Sequence, residues 1–176
     1  LPKWGTLDGG PAQAGHTMKS TQGVRTLIGD HRGQGTAARL APLSGAGLAM
    51  DVSPTLGATL TQLADESPQV LVLDPLTRGC AVELERIAQD LNPTESAVLL
   101  VVDPQDPVPT IAAARILAGR PFDLVHRSAP AEEFLLRIEQ LHDRLSSHGD
   151  LIAARYRAMH DDLTDLLETA RGYCDG

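Results

Sequence analysis

Two segments of this chain, Val70-Leu71-Val72-Leu73 and Ala97-Val98-Leu99-Leu100-Val101-Val102, are apolar at every position. A strand with one wet face alternates apolar and polar residues, whereas a strand that is apolar throughout is covered on both faces. Such strands belong to a sheet sandwiched between helices. The first run ends in Asp74. A carboxylate at the carboxyl end of a buried strand lies at the rim of an open α/β sheet, where ligands and chemistry collect.

The rest of the chain supplies the helices. Val24 to Gly29 reads as a first strand and Gln34 to Leu43 as a helix, ended by Ser44-Gly45-Ala46-Gly47. Leu48 to Val52 reads as a second strand. Ser53-Pro54, a capping residue before proline, opens a helix that runs to about Ala64. Gln69 to Leu73 is the third strand, Ala81 to Leu91 a helix, and Ala97 to Val102 the fourth strand. Val108 to Leu117 is helical, Phe122 to His126 is the fifth strand, and a last helix begins near Glu132. Strict alternation implies a parallel, doubly wound sheet with right-handed crossovers. Five βα units in about 120 residues fit the flavodoxin-like order better than a six-stranded dinucleotide fold.

Composition narrows the function classes. Hydrophobic residues make up 42% of the chain but aromatic residues only 3%, so the core must be aliphatic. A formal charge of -8 argues against nucleic acid or an anionic membrane as partner. No apolar stretch approaches the roughly 20 residues of a membrane span, and no secretory signal is recognisable. Cys80 and Cys174 are too few for a disulfide framework or a zinc cluster, which suits reduced thiols in a cytoplasmic protein. Residues 1–22 are Gly-rich and aperiodic and read as a disordered tail or linker; Trp4 lies there, outside any core.

Beyond the fifth strand the apolar positions run Phe134, Ile138, Leu141, Leu145, then Ile152, Tyr156, Met159, Leu163 and Leu166. Spacings of 4, 3 and 4, then 4, 3, 4 and 3, make the seam of a coiled coil. Ser146-Ser147-His148-Gly149 interrupts it. One reading packs this helix on its own domain. The other, which the sequence favours, makes it the seam of a homodimer, because a five-unit sheet leaves little surface for further turns.

Four features together resemble the receiver domain of bacterial two-component signalling, over about residues 23–145. They are Asp74 after the third strand, Gly79 five residues later, Ala118-Gly119 before the fifth strand, and Ala131-Glu132-Glu133-Phe134 opening the last helix. The resemblance implies a phosphoacceptor at Asp74, two acids after the first strand that hold Mg²⁺, a hydroxyl ending the fourth strand and a lysine ending the fifth. It also implies a sensor kinase as partner. Such a site needs several hard oxygen ligands for the metal and positive charge on the transferring phosphoryl group.

The chain departs from that pattern. Asp30 matches one acid, but His31 stands where the other belongs and offers Mg²⁺ at most a weak nitrogen contact. Val102 takes the hydroxyl position, Leu124 stands where an aromatic switch residue is usual, and Arg127 is the counterpart of the lysine, with His126 the alternative after a one-residue shift. Pro75 removes a backbone N–H that a phosphate would use. Asp103, at the same rim, could restore the carboxylate count to three beside Asp30 and Asp74. Two readings follow. In one, Asp74 is still phosphorylated by a modified, Mg²⁺-dependent mechanism. In the other, which the lost carboxylate favours, Asp74 is an inherited residue paired with Arg127, and the domain is a pseudo-receiver that works by contact and is not an enzyme.

The tail carries a second resemblance. Met159-His160-Asp161-Asp162-Leu163-Thr164-Asp165-Leu166-Leu167 is similar to the signalling helix leading into GGDEF-type diguanylate cyclase domains. It implies that residues 146–176 form a signalling or dimerisation helix and the start of a lost or truncated output domain, linked to cyclic-di-GMP. A stand-alone adaptor is the alternative.

Three other patterns compete. Gly33-Gln34-Gly35-Thr36-Ala37-Ala38 with Asp51 has the form of a dinucleotide turn, but its first glycine lies four residues past Gly29 and the strand end. The six histidines lack metal spacing, although His31 and His126 both end strands and could meet at the rim, where a metal would need Asp30 or Asp74 as a further ligand. Glu83, Glu85 and Asp90 read as a solvated helix face.

Overall fold

The computed structural model describes residues 23–33, 35–46, 48–75, 80–103, 105, 108–147, 149–151 and 154. Its strands are β1 (Arg25–Asp30), β2 (Ala49–Ser53), β3 (Val70–Asp74), β4 (Ala97–Val102) and β5 (Phe122–His126). Its helices are α1 (Thr36–Leu40), α2 (Leu56–Asp65), α3 (Cys80–Asp90), α4 (Val108–Ile116) and α5 (residues 131–147). The five strands form one all-parallel sheet in the order β2-β1-β3-β4-β5. That is the flavodoxin-like order expected from five βα units, in which the chain reverses direction beside β1 and opens a crevice at the strand ends.

The sheet is covered on both faces, as its apolar strands require. Side chains alternate along a strand. On one face Ile28, Val70, Val72, Leu99, Val101 and Val125 pack with Leu40 of α1 and with Phe134, Ile138 and Leu141 of α5. On the other, Leu27, Leu71, Leu73, Val98 and Leu100 pack with Leu63 of α2, Leu84 and Ile87 of α3, and Ala113 of α4. Each of the Val, Leu, Ile and Phe side chains among them contributes about 1.5–3 kcal/mol of hydrophobic stabilisation.

This packing corrects the expectation of a seam starting at Phe134. Phe134, Ile138 and Leu141 are buried against their own sheet, Phe134 at 0% exposure, and Leu145 further along the helix is buried as well. The doubly wound sheet has a second face to cover, and α5 covers it together with α1. The continuation through Ile152, Tyr156, Met159, Leu163 and Leu166 lies outside the described residues, as do residues 1–22, Gly79 and the segment 159–167.

Two helices also differ from expectation. Ser53 closes β2, and it is the Thr55 hydroxyl that accepts from Ala58 N at 3.2 Å and caps α2. The helix predicted over Gln34–Leu43 is α-helical only for Thr36–Leu40 and tightens into a 3₁₀ helix over Ala41–Ala46. Pro42 lacks the N–H that a further α turn would use. Among the described residues no helix is long and apolar enough to cross a membrane.

Candidate functional site around Asp74

The register of β1 on β3 sets Asp30 directly beside Asp74. Alternation from Val70 and Val72 turns Asp74 toward the face covered by α1 and α5. There it is wholly enclosed, at 0% exposure. The Thr36 hydroxyl, at the first residue of α1, donates to Asp74 Oδ2 at 2.7 Å. Arg127, just past β5, donates from Nη2 to Asp74 Oδ1 at 2.6 Å. Arg32 Nε lies 3.7 Å from the same oxygen and donates to the Pro75 carbonyl at 2.6 Å. The carboxylate therefore holds a hydroxyl on one oxygen and two guanidinium groups near the other. The pairing of Asp74 with Arg127 matches the sequence expectation.

Asp30 serves α1. Gly35 precedes that helix in a left-handed conformation and has no side chain to cap it. Asp30 Oδ2 instead accepts from Ala37 N at 3.2 Å, which satisfies one of the open N–H groups of the first turn.

Burial pushes the Asp74 carboxyl above the ordinary aspartate value, because enclosure disfavours the charged form. The Thr36 hydrogen bond, then Arg127 and Arg32, pull in the opposite direction, and the neighbouring Asp30 pushes it up again.

His31 turns away from this group. Its Nδ1 bonds the Glu83 carboxylate and its Nε2 lies 2.7 Å from Thr59 Oγ1, which in turn lies 2.6 Å from Ser53 Oγ. The four side chains form one buried polar chain joining β1, β2, α2 and α3. Gly29 makes room for it: a Cβ there would stand 2.9 Å from Leu73 Cδ1 and 3.2 Å from His31 Nε2. Two expectations are corrected. Glu83 is not a solvated surface acid but is 5% exposed. His31 does not meet His126, which is exposed and bonds Ser128.

The remaining predicted positions complete the rim. Val102 and Leu124 are half-buried against the α2–α4 face, so neither brings a hydroxyl or an aromatic ring to Asp74. Asp103 Oδ1 accepts from Gln105 N at 3.0 Å and caps its own turn. The donors expected for Mg²⁺ thus do not fit it. Asp30 caps a helix, His31 faces α2 and α3, and Asp74 is engaged by Thr36 and Arg127. Among the described residues no three His, Cys, Asp or Glu side chains are grouped to hold a metal ion. The dinucleotide-like turn fares no better. Gly35 opens a helix of only five residues, and Asp51 lies mid-strand beside Leu27. The cavity near Asp51, about 240 Å³, opens by Arg25 at the start of β1, at the opposite end of the sheet from Asp74.

Sequence reasoning missed Thr36, Arg32 and Glu83 as participants. Glu83 carried a legible signal, because it lies four residues before Ile87 on the apolar stripe of α3. Thr36 and Arg32 carried none.

No protein-family model matches the chain, and no curated protein matches it in sequence. Solved structures match in fold. NtrX from Brucella abortus superposes with a TM-score of 0.64 at 17% identity, over 76% of this chain and 30% of that one. A CheY-like response regulator receiver domain protein from Methanospirillum hungatei gives 0.57 at 15% identity, over 69% and 96%. A protein described as adenylate cyclase from Rhodopirellula baltica gives 0.57 at 15% identity, over 74% and 97%. The chain thus spans less than a third of NtrX but matches the Methanospirillum receiver over nearly its whole length. At these identities the likeness is one of fold.

Proposed function

We propose that this chain is a pseudo-receiver: a regulatory module with the receiver fold that signals by protein contact, without Mg²⁺-dependent phosphorylation and without catalysis of its own. The single observation that carries this reading is the enclosure of Asp74. A phosphoacceptor needs a free oxygen facing the donor and a metal beside it. Asp74 has no exposed surface, with Thr36 on one oxygen and Arg127 on the other. Its neighbours Asp30 and His31 are committed elsewhere.

The output rests on sequence. The signalling-helix resemblance over residues 159–167 points to a cyclic-di-GMP protein, and the spacing Ile152, Tyr156, Met159, Leu163 to a homodimer joined beyond α5. Such a module shifts between packings when a partner binds one of them better by a few kcal/mol.

The test is calorimetric titration of Mg²⁺ with beryllofluoride, a phosphoryl mimic, into the protein and into Asp74→Ala. Neither is expected to bind. Saturable binding to the wild type that disappears in Asp74→Ala would overturn the reading. Sedimentation of the wild type and Ile152→Asp checks the dimer, which the substitution is expected to dissociate.

A further inference from the structure

We infer that α1 carries the state of Asp74 outward, through Thr36 at its start and Arg39 near its end, in place of the carboxyl end of β4. This rests on reading the chain as a regulatory module of receiver fold and adds the route by which it responds.

The strand end that lies nearest in sequence pattern has nothing to move with. Val102 offers no hydrogen bond from its side chain, and Leu124 on the adjoining strand is equally apolar. The hydroxyl on Asp74 comes instead from Thr36, 38 residues back in the chain. Thr36 is buried and is the first residue of α1. Arg39, three residues on, donates from Nη1 to the carbonyls of Arg127 and Ala129 beyond β5. The Arg127 side chain returns to Asp74. The four residues close a ring: Asp74 to Thr36, along α1 to Arg39, across to the backbone of 127–129, and back through the Arg127 guanidinium.

The attachments of α1 suit a moving part. Gly33 and Gly35 precede it with φ of 60° and 79°, and a Cβ at either would meet nothing within 4 Å. The helix is short: Thr36 and Arg39 attach it to the ring, Asp30 caps its first turn, and Leu40 seats it in the core. Any change in the charge or hydrogen bonding of Asp74 therefore acts on Thr36 and Arg127 at once. Because Arg39 joins their elements, α1 and the segment after β5 respond as one unit, and α5 follows directly from that segment.

Hydrogen–deuterium exchange on the full-length chain tests this. Thr36→Val removes the hydroxyl at nearly constant shape, and Thr36→Ser keeps it. The valine variant is expected to speed exchange of amides 37–41 and of Ala129 by about tenfold, the scale of one lost charge-assisted hydrogen bond. The serine variant is expected to stay at the wild-type rate, as are amides 97–102 in all variants. Arg39→Gln alters an exposed side chain and guards against a folding defect in the valine variant; it is expected to loosen the same two segments. Loosening of residues 37–41 alone, with Ala129 as protected as in the wild type, would overturn the inference. So would changes confined to the end of β4. Saturable binding of beryllofluoride would overturn the closed-site reading and leave this exchange pattern standing, so the two failures are distinguishable.

Discussion

His31 and Glu83, 52 residues apart in sequence, meet inside the fold as a buried imidazole–carboxylate pair. His31 occupies a position where the receiver pattern calls for a metal-binding acid. Its ring bonds the Glu83 carboxylate through one nitrogen and the Thr59 hydroxyl through the other. A position that would recruit a cation thus ties β1 to α2 and α3. Removing one member leaves the others buried with one partner fewer. His31→Ala is expected to lower the unfolding free energy by about 2–4 kcal/mol, read from urea denaturation. A loss under about 0.5 kcal/mol, typical of surface sites, would mean that the pair contributes little.

The Asp74 carboxyl supplies a pH dependence of definite sign. Its native value is raised above the reference of 3.8 by burial. The native state therefore holds this proton to higher pH than the unfolded chain does. The stability it contributes is fully present below the unfolded value and is lost as pH rises through the native one. Asp74→Asn removes this titration and leaves the others in place. The wild type minus Asp74→Asn difference in unfolding free energy is expected to fall as pH rises from about 3.5 to 7, measured by urea denaturation at each pH. A difference that grows with pH would mean that the Thr36 hydrogen bond, Arg127 and Arg32 together outweigh the burial.

Phe134 is the largest side chain packed between α5 and the sheet, and it is fully buried. Phe134→Ala is expected to cost about 3–5 kcal/mol in unfolding free energy. Leu136, half exposed on the same helix, is expected to tolerate alanine within about 0.5 kcal/mol. Equal effects at the two positions, or loss of a dimer with unchanged monomer stability in Phe134→Ala, would restore the intermolecular seam.

Gly29 lies in β1 at a point of close approach. Its φ is ordinary, so the constraint is space and not backbone conformation. Gly29→Ala would press a methyl group into Leu73 and the His31 ring. A destabilisation of about 1–3 kcal/mol is expected, visible as a lower denaturation midpoint. A neutral result would show that Leu73 moves aside without cost.

Much of the fold was legible because it rests on short-range patterning. Unbroken apolar runs at Val70–Leu73 and Ala97–Val102 admit few structures besides strands covered on both faces, and the observed spans agree to within a residue or two. Asp74 was legible because the run ends there, and Arg127 because it follows the last strand. The first part of the seam, from Phe134 to Leu141, misled for a related reason. A spacing of 4, 3 and 4 marks a helix with one apolar face, and it fits a neighbouring helix and the helix's own sheet equally well.

The sequence by itself determined the strand and helix periods, the sheet order they imply and the placing of one carboxylate at the rim. Tertiary structure decided what that carboxylate touches. Thr36 and Arg32 reach Asp74, and Glu83 reaches His31, across intervals of tens of residues that no local pattern encodes. The physical reason is that apolar burial depends on area and repeats with the backbone period. A buried polar group must instead find one partner at hydrogen-bonding distance and angle, wherever the folded chain brings one.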